Sequence, residues 1–174
     1  MKNYTNNLKP FIYLNCWHKN KTVSTVVCNI YAGNNKGIAV QTNLKLLKEC
    51  LDNSRCCHKD ENVNSPTINT DNVKYINQEI FIEDFKSRNW DRNSFFKKCE
   101  SYDYEREIRA LFNLDYEDKK GFNFRKYIEN DGIYIHIEPK ELIEKIYVCS
   151  LAPDWVLDVV KSIAGKYEIC EEKV

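Results

Sequence analysis

Three charged residues stand two positions apart: Glu105, Glu107 and Arg109, in the stretch YDYEREIRALF at 102–112. Side chains alternate faces along a strand, so an extended backbone here puts Glu105, Glu107, Arg109 and Leu111 on one side. Tyr104, Arg106, Ile108, Ala110 and Phe112 fall on the other. Neighbours in the acidic row then lie about 7 Å apart along the strand. Two carboxylates so close raise one another's pKa, and a guanidinium beside them can take one in a bidentate pair. The chemistry such a row supports is a carboxylate that orients or deprotonates a polar substrate. Glu107 is the first choice, because Arg109 holds it ionised, with Glu105 assisting. The competing reading is a wet sheet face carrying an i,i+2 ion pair, worth about 0–1 kcal/mol.

Other clusters carry less. Cys16 and His18 share a strand face, but their Cα atoms lie about 7 Å apart, whereas a thiol–imidazole nucleophile pair needs a bond near 3 Å. A buried Cys16 and a strand-end His18 are expected instead. Cys50, Cys56, Cys57 and His58 offer ligands that suit zinc. Adjacent cysteines after a long gap are poor chelate spacing, however, so no metal site is assigned. His136 reads as an exposed strand histidine. Lys86, Arg88, Trp90, Arg92, Lys97 and Lys98 form a basic stretch that reads as solvated surface. There is no Gly-rich phosphate loop, His-Glu-x-x-His or Gly-x-Ser-x-Gly, which removes the commonest nucleotide hydrolases, zinc proteases and serine hydrolases.

The elements that must position these residues follow from composition and patterning. With 174 residues, 43% of them hydrophobic, the chain is long enough for one domain with a sizeable core. Its 26 basic and 26 acidic residues balance, so nothing draws it globally to nucleic acid or an anionic membrane. No run is apolar for long enough to span a bilayer, and the N-terminal segment does not read as a signal peptide. The eight cysteines, irregularly spaced, read as reduced thiols in a cytoplasmic protein. The expected fold is α+β: a mixed sheet of five or six strands with helices packed on it.

Strands are expected at 11–17, 37–41 (short and buried), 72–77, 105–113, 132–138 and 145–149. The cleanest alternation is GIYIHIE at 132–138. A helix at 43–51, capped by Thr42, should bury Leu44, Leu47 and Leu51. A short helix near 91–98 should turn Phe95 and Phe96 inward. Another short helix opens at Pro139. A closing helix at 153–166 should bury Val156, Val159, Val160 and Ile163. Residues 22–32 fit either helix or strand, 33–37 read as a turn, 1–9 as a short arm, and 52–71 and 115–131 as loops.

In this order, NCWH at 15–18, IYAGNNKGIAVQT at 30–42, NVKYI at 72–76, SYDYEREIRAL at 101–111 and GIYIHIEPKELIEKIYVCSLAPDW at 132–155 resemble a bacterial and phage family known as domain of unknown function 2971. Three features depart from that family. The large N-terminal block that usually precedes the Cys-Trp-His strand is replaced by residues 1–9. Val23-Ser24 and Val27-Cys28 stand where relatives carry Glu-Ser and Met-Trp. Lys98-Cys99 stands where many carry Lys-Arg. Within the shared motifs, Trp17, His18 and Tyr31 are the candidate binding residues. The resemblance implies a role in phage or mobile-element biology, and a chain that is a fragment, a degraded copy, or one half of a split protein whose partner chain supplies the missing block. The order of elements also looks loosely like ADP-ribosyltransferase folds, in which a late strand carries Glu-x-Glu. That analogy implies a transferase acting on NAD, with Glu105 and Glu107 holding the ribose and the developing charge. The alternative is a non-catalytic binding module or partner subunit. An enzyme should show a concave pocket at the Glu-Arg-Glu strand, and a module a flat apolar edge near 11–17.

Overall fold

The structure, a computed structural model, describes residues 12–20, 37–58, 61–63, 67–87, 92–114, 128–129, 132–170 and 172. Residues 22–32, with Tyr31 among them, lie outside the described residues, as do the arm at 1–9, most of the turn at 33–37 and residues 115–127. The fold is α+β. In chain order the strands are β1 (Ile12–His18), β2 (Ile38–Gln41), β3 (Arg55–His58), β4 (Glu61–Val63), β5 (Ile68–Asn72), β6 (Lys74–Ile76), β7 (Lys97–Cys99), β8 (Glu107–Asn113), β9 (Ile128–Glu129), β10 (Gly132–Ile133), β11 (Ile135–His136) and β12 (Lys145–Val148). The helices are α1 (Leu44–Asp52), α2 (Gln78–Ser87), α3 (Pro139–Leu142) and α4 (Asp154–Lys166). Instead of one sheet of five or six strands, the described strands form sheets of two or three. No described helix is long and apolar enough to cross a membrane.

The chain divides into two compact units. The first, residues 1–19 and 56–135, is built on the antiparallel sheet β1-β8-β5. β8 is its middle strand and has partners on both sides, which is why its second half is continuously apolar and buried. Phe112 stands directly between Tyr13 of β1 and Ile68 of β5. It packs with Leu114 against those two residues and against Ile128, Ile133 and Ile135. Leu111 and Leu114 are wholly buried. Beside this sheet, β6 and β7 pair in parallel, which requires a crossover, and α2 lies within it. A 3-10 turn at Arg92–Phe96 then leads into β7, with Phe96 buried and Phe95 half-buried.

Residues 52–71 are not one loop: they include the antiparallel hairpin β3–β4 and the edge strand β5. Their polar composition hides these strands, because the apolar alternation that marks a half-buried strand is missing. The expected strand at 132–138 is interrupted at Tyr134, which separates β10 from β11. Its alternation still holds, with Ile133, Ile135 and Ile137 half-buried and Tyr134, His136 and Glu138 exposed.

The second unit comprises residues 20–55 and 136–174. β2 and β12 form an antiparallel pair, with Val40 opposite Ile146 and Ile38 opposite Val148. β2 is not buried as expected, since Ile38 is 60% exposed. The cap of α1 is Asn43 rather than Thr42. Its Oδ1 accepts from the Leu46 N–H at 2.9 Å, and its Nδ2 donates to Glu144 at 2.6 Å. Leu47, Cys50 and Leu51 are the buried face of α1, while Leu44 in its first turn stays exposed. α4 begins after Pro153 and ends in a Schellman arrangement: Ile169 N–H bonds to Ala164 C=O at 3.0 Å and Glu168 N–H to Gly165 C=O at 3.2 Å. Glu168 takes the left-handed position with φ 57, where glycine is usual. The buried face of α4 is Val156, Val160 and Ala164; Val159 and Ile163, expected inside, are exposed. The apolar surface of this helix is wider than its contact, so periodicity alone placed the buried stripe one position off.

Candidate functional site

The candidate site lies in the first unit, where β8 begins. Glu107 and Arg109 are on this strand, on one face, as alternation requires. Glu105 is not. It ends a 3-10 helix, Glu100–Glu105, and Arg106 between the two acids adopts a left-handed conformation with φ 43 and ψ 53. The chain bends there, so the expected row of three on one extended backbone does not exist. Tyr104 and Arg106, expected on the strand, are exposed residues of this turn.

The bend brings the acids together by another route. Lys98 of β7 ion-pairs with the Glu105 carboxylate, and its Nζ lies 3.4 Å from Glu107 Oε1. Arg109 donates from Nε and Nη2 to Glu107 Oε2 at 3.0 and 2.8 Å, and from Nη1 to the Phe95 carbonyl at 2.6 Å. The Glu107 N–H donates to the Tyr75 hydroxyl at 2.7 Å. Tyr75 and Lys98 are direct partners in the parallel β6–β7 pair, so that pair carries both contacts to Glu107. The Lys98 ammonium also sits 5.0 Å from the centre of the Tyr102 ring, a cation–π distance. The Glu105, Glu107 and Arg109 side chains are each 13% exposed and Lys98 is 23% exposed. This is a largely enclosed quartet of two anions and two cations.

The electrostatics follow. Burial works against the charge on Glu107, but the Arg109 charge and hydrogen bonds, then Lys98, outweigh it and hold the carboxyl below its ordinary value. Burial likewise opposes the charge on Lys98, and the hydrogen bond to Glu105 with the fields of Glu107 and Glu105 outweighs it, so its pKa rises. The Tyr75 hydroxyl is pushed up, first by burial. Both oxygens of Glu107 face a cation. A carboxylate so held is a weak proton acceptor near neutrality, and the quartet has no net charge to offer a ligand.

His18 stands opposite Glu107 in the β1–β8 register, and its Nδ1 hydrogen-bonds the Glu105 carbonyl. Its Nε2 is buried with no hydrogen-bond partner among the described residues. Cys16 stands opposite Arg109. The residue is exposed, not buried as expected, although loss of water around its thiol, then Glu107, pushes the pKa up. Trp17 lies on the other face, opposite Ile108, with its indole N–H donated to Asn15. It does not belong to the quartet. His136 is exposed and 3.3 Å from Glu138. Cys50 is buried in α1, where burial raises its thiol pKa, while Cys56, Cys57 and His58 are on β3. Among the described residues no group of three or more His, Cys, Asp or Glu could hold a metal ion.

Sequence reasoning missed Lys98 and Tyr75. Lys98 is visible as part of a basic stretch, but its role depends on a parallel pairing across more than twenty residues, which no local pattern reveals. No family model matches this chain, no curated protein matches it, and no solved structure matches it.

Proposed function

We propose that this chain is a non-catalytic binding module whose edge strand β1 takes an extended segment of another protein. The observation that carries the reading is β1 itself: seven residues at the edge of the described sheet, exposed through Leu14, Asn15 and Cys16. Such edges are templates for strand addition. The engagement of Glu107 by Arg109 and Lys98 supports a structural role for the acids. On this reading the protein is cytoplasmic and a member of the domain-of-unknown-function 2971 family, with the phage or mobile-element setting that resemblance implies, and its partner is another protein chain.

A second reading is a transferase acting on NAD. It is favoured by one fact: Arg109 keeps Glu107 ionised, as a carboxylate that holds a ribose hydroxyl must be. Incubation with labelled NAD separates the two. The module reading expects no consumption of NAD by the wild type or by Glu107→Gln. NAD consumed by the wild type and spared by Glu107→Gln overturns it in favour of the transferase.

A further inference from the structure

We propose that the occupant of the β1 edge is a second copy of this chain, its own β1 paired antiparallel about a two-fold axis through Asn15. This rests on the edge-strand reading and names the partner. The ladder shows which backbone groups of β1 are spare. Antiparallel residues alternate between pairs that exchange hydrogen bonds and pairs that do not. Lys19 N–H bonds to Arg106 C=O at 2.8 Å, which fixes that alternation along the β1–β8 register. Tyr13, Asn15 and Trp17 therefore turn their backbone groups to β8, while Ile12, Leu14, Cys16 and His18 turn theirs outward. Leu14, Asn15 and Cys16 are exposed, and among the described residues nothing bonds to the outward groups of Leu14 and Cys16. The opposite edge of the sheet is stopped. Val73 N–H bonds to Glu107 C=O, so by the same alternation Asn72 of β5 faces outward, and its N–H donates to the Asp71 carboxylate at 2.7 Å. β1 has no such guard, for no charged side chain stands between Ile12 and Trp17.

The residue order selects the occupant. Asn15 is the midpoint of β1 and of its exposed stretch, so an axis there pairs all seven residues of the strand, and an axis at Leu14 or Cys16 shortens the ladder at one end. Leu14 then exchanges hydrogen bonds with the second copy's Cys16, and Ile12 with its His18, each outward group meeting an outward group. Asn15 meets itself in a pair that shares no backbone bond, where Cα atoms approach to about 4.5 Å and side chains are closest. Its Oδ1 accepts the Trp17 indole N–H, and its Nδ2 has no partner among the described residues, so the two amides can bond across the axis. No like charges meet anywhere along this ladder. A charged foreign segment finds no opposite charge on β1 to select it, whereas a second copy brings an equally uncharged strand. The pairing joins two three-stranded sheets into one continuous sheet.

Sedimentation equilibrium of the full chain in reductant tests this. A strand pair is a small interface, so the wild type should approach twice the 20.6 kDa chain mass with a dissociation constant on the order of 10–100 μM. Cys16→Pro removes an outward N–H that β8 does not use, and should give a monomer with unchanged circular dichroism. Leu14→Lys guards the edge without altering the backbone, and should raise the dissociation constant at least about tenfold. Mild oxidation of Asn15→Cys should link two copies through position 15, located by mass spectrometry of the peptides, because a Cα separation of about 4.5 Å is within disulfide reach. A wild type that remains monomeric at about 0.5 mM overturns the proposal. So does a dimer indifferent to both Cys16→Pro and Leu14→Lys, and so does the absence of any link at position 15. None of these outcomes overturns the edge-strand reading, which then keeps a different protein as its occupant. That reading is overturned separately, by NAD consumption that Glu107→Gln abolishes.

Discussion

β8 and α4 treat their side chains in opposite ways. β8 carries charged residues and turns them inward: Glu107 and Arg109 are engaged with each other, Glu107 with Lys98 and Arg109 with the Phe95 carbonyl. α4 carries ordinary aliphatic and aromatic residues and leaves Val159 and Ile163 about half exposed. The charged residues are therefore the internal fastening, and several apolar ones stay half-exposed. Residue type alone suggests the reverse, since acids and bases invite thoughts of catalysis and a valine ridge invites thoughts of a core. What decides is whether each group's needs are already met within its own unit.

Substitutions sharpen this contrast. Leu111→Ala on β8 should cost about 3 kcal/mol in urea unfolding, because the residue is wholly buried and its removal leaves a cavity. Glu107→Gln should cost roughly 1–2 kcal/mol. It strands the charge of Arg109, while Lys98 keeps its ion pair with Glu105, and the residual access of water moderates the penalty. Arg106→Gly should stabilise by about 0.5–1 kcal/mol, since a side chain in the left-handed region is strained and glycine is not. On α4, Val159→Ala should change stability by less than about 0.5 kcal/mol when measured on monomer, because that side chain is half in water. A cost for Val159→Ala as large as that for Leu111→Ala would break the comparison.

Much of this was legible in the sequence. Strands β1, β6, β8 and β12 and helices α1, α3 and α4 follow from alternation, helical spacing and Pro139, although the cap of α1 is Asn43 and not, one residue earlier, the expected Thr42. The Glu107–Arg109 pair follows from the two-residue repeat alone. What stayed hidden has physical causes. Glu105 leaves the row because Arg106 takes a left-handed conformation, which non-glycine residues rarely adopt, so nothing in the residue type announces it. Lys98 and Tyr75 join the quartet through non-local strand pairing. β3, β4 and β5 are polar strands without the alternation that would mark them. The outward ridge of α4 looks like a core stripe because both are apolar at helical spacing; only burial separates Val159 and Ile163 from Val156 and Val160.

The pH dependence of the stability difference between wild type and Glu107→Gln tests the central claim most directly. Glu107 has a folded pKa below its ordinary value of 4.5, so its contribution is fully present above that value and is lost as pH falls through the folded one. Lys98, with its pKa raised above 10.5, contributes fully below that value, so only the carboxylate responds in acid. Chemical unfolding should show the wild type more stable at pH 7, with the gap closing in acid as pH falls below 4.5 and through the folded value. A gap of zero at pH 7, or one that widens in acid, would show that Glu107 does not fasten this fold.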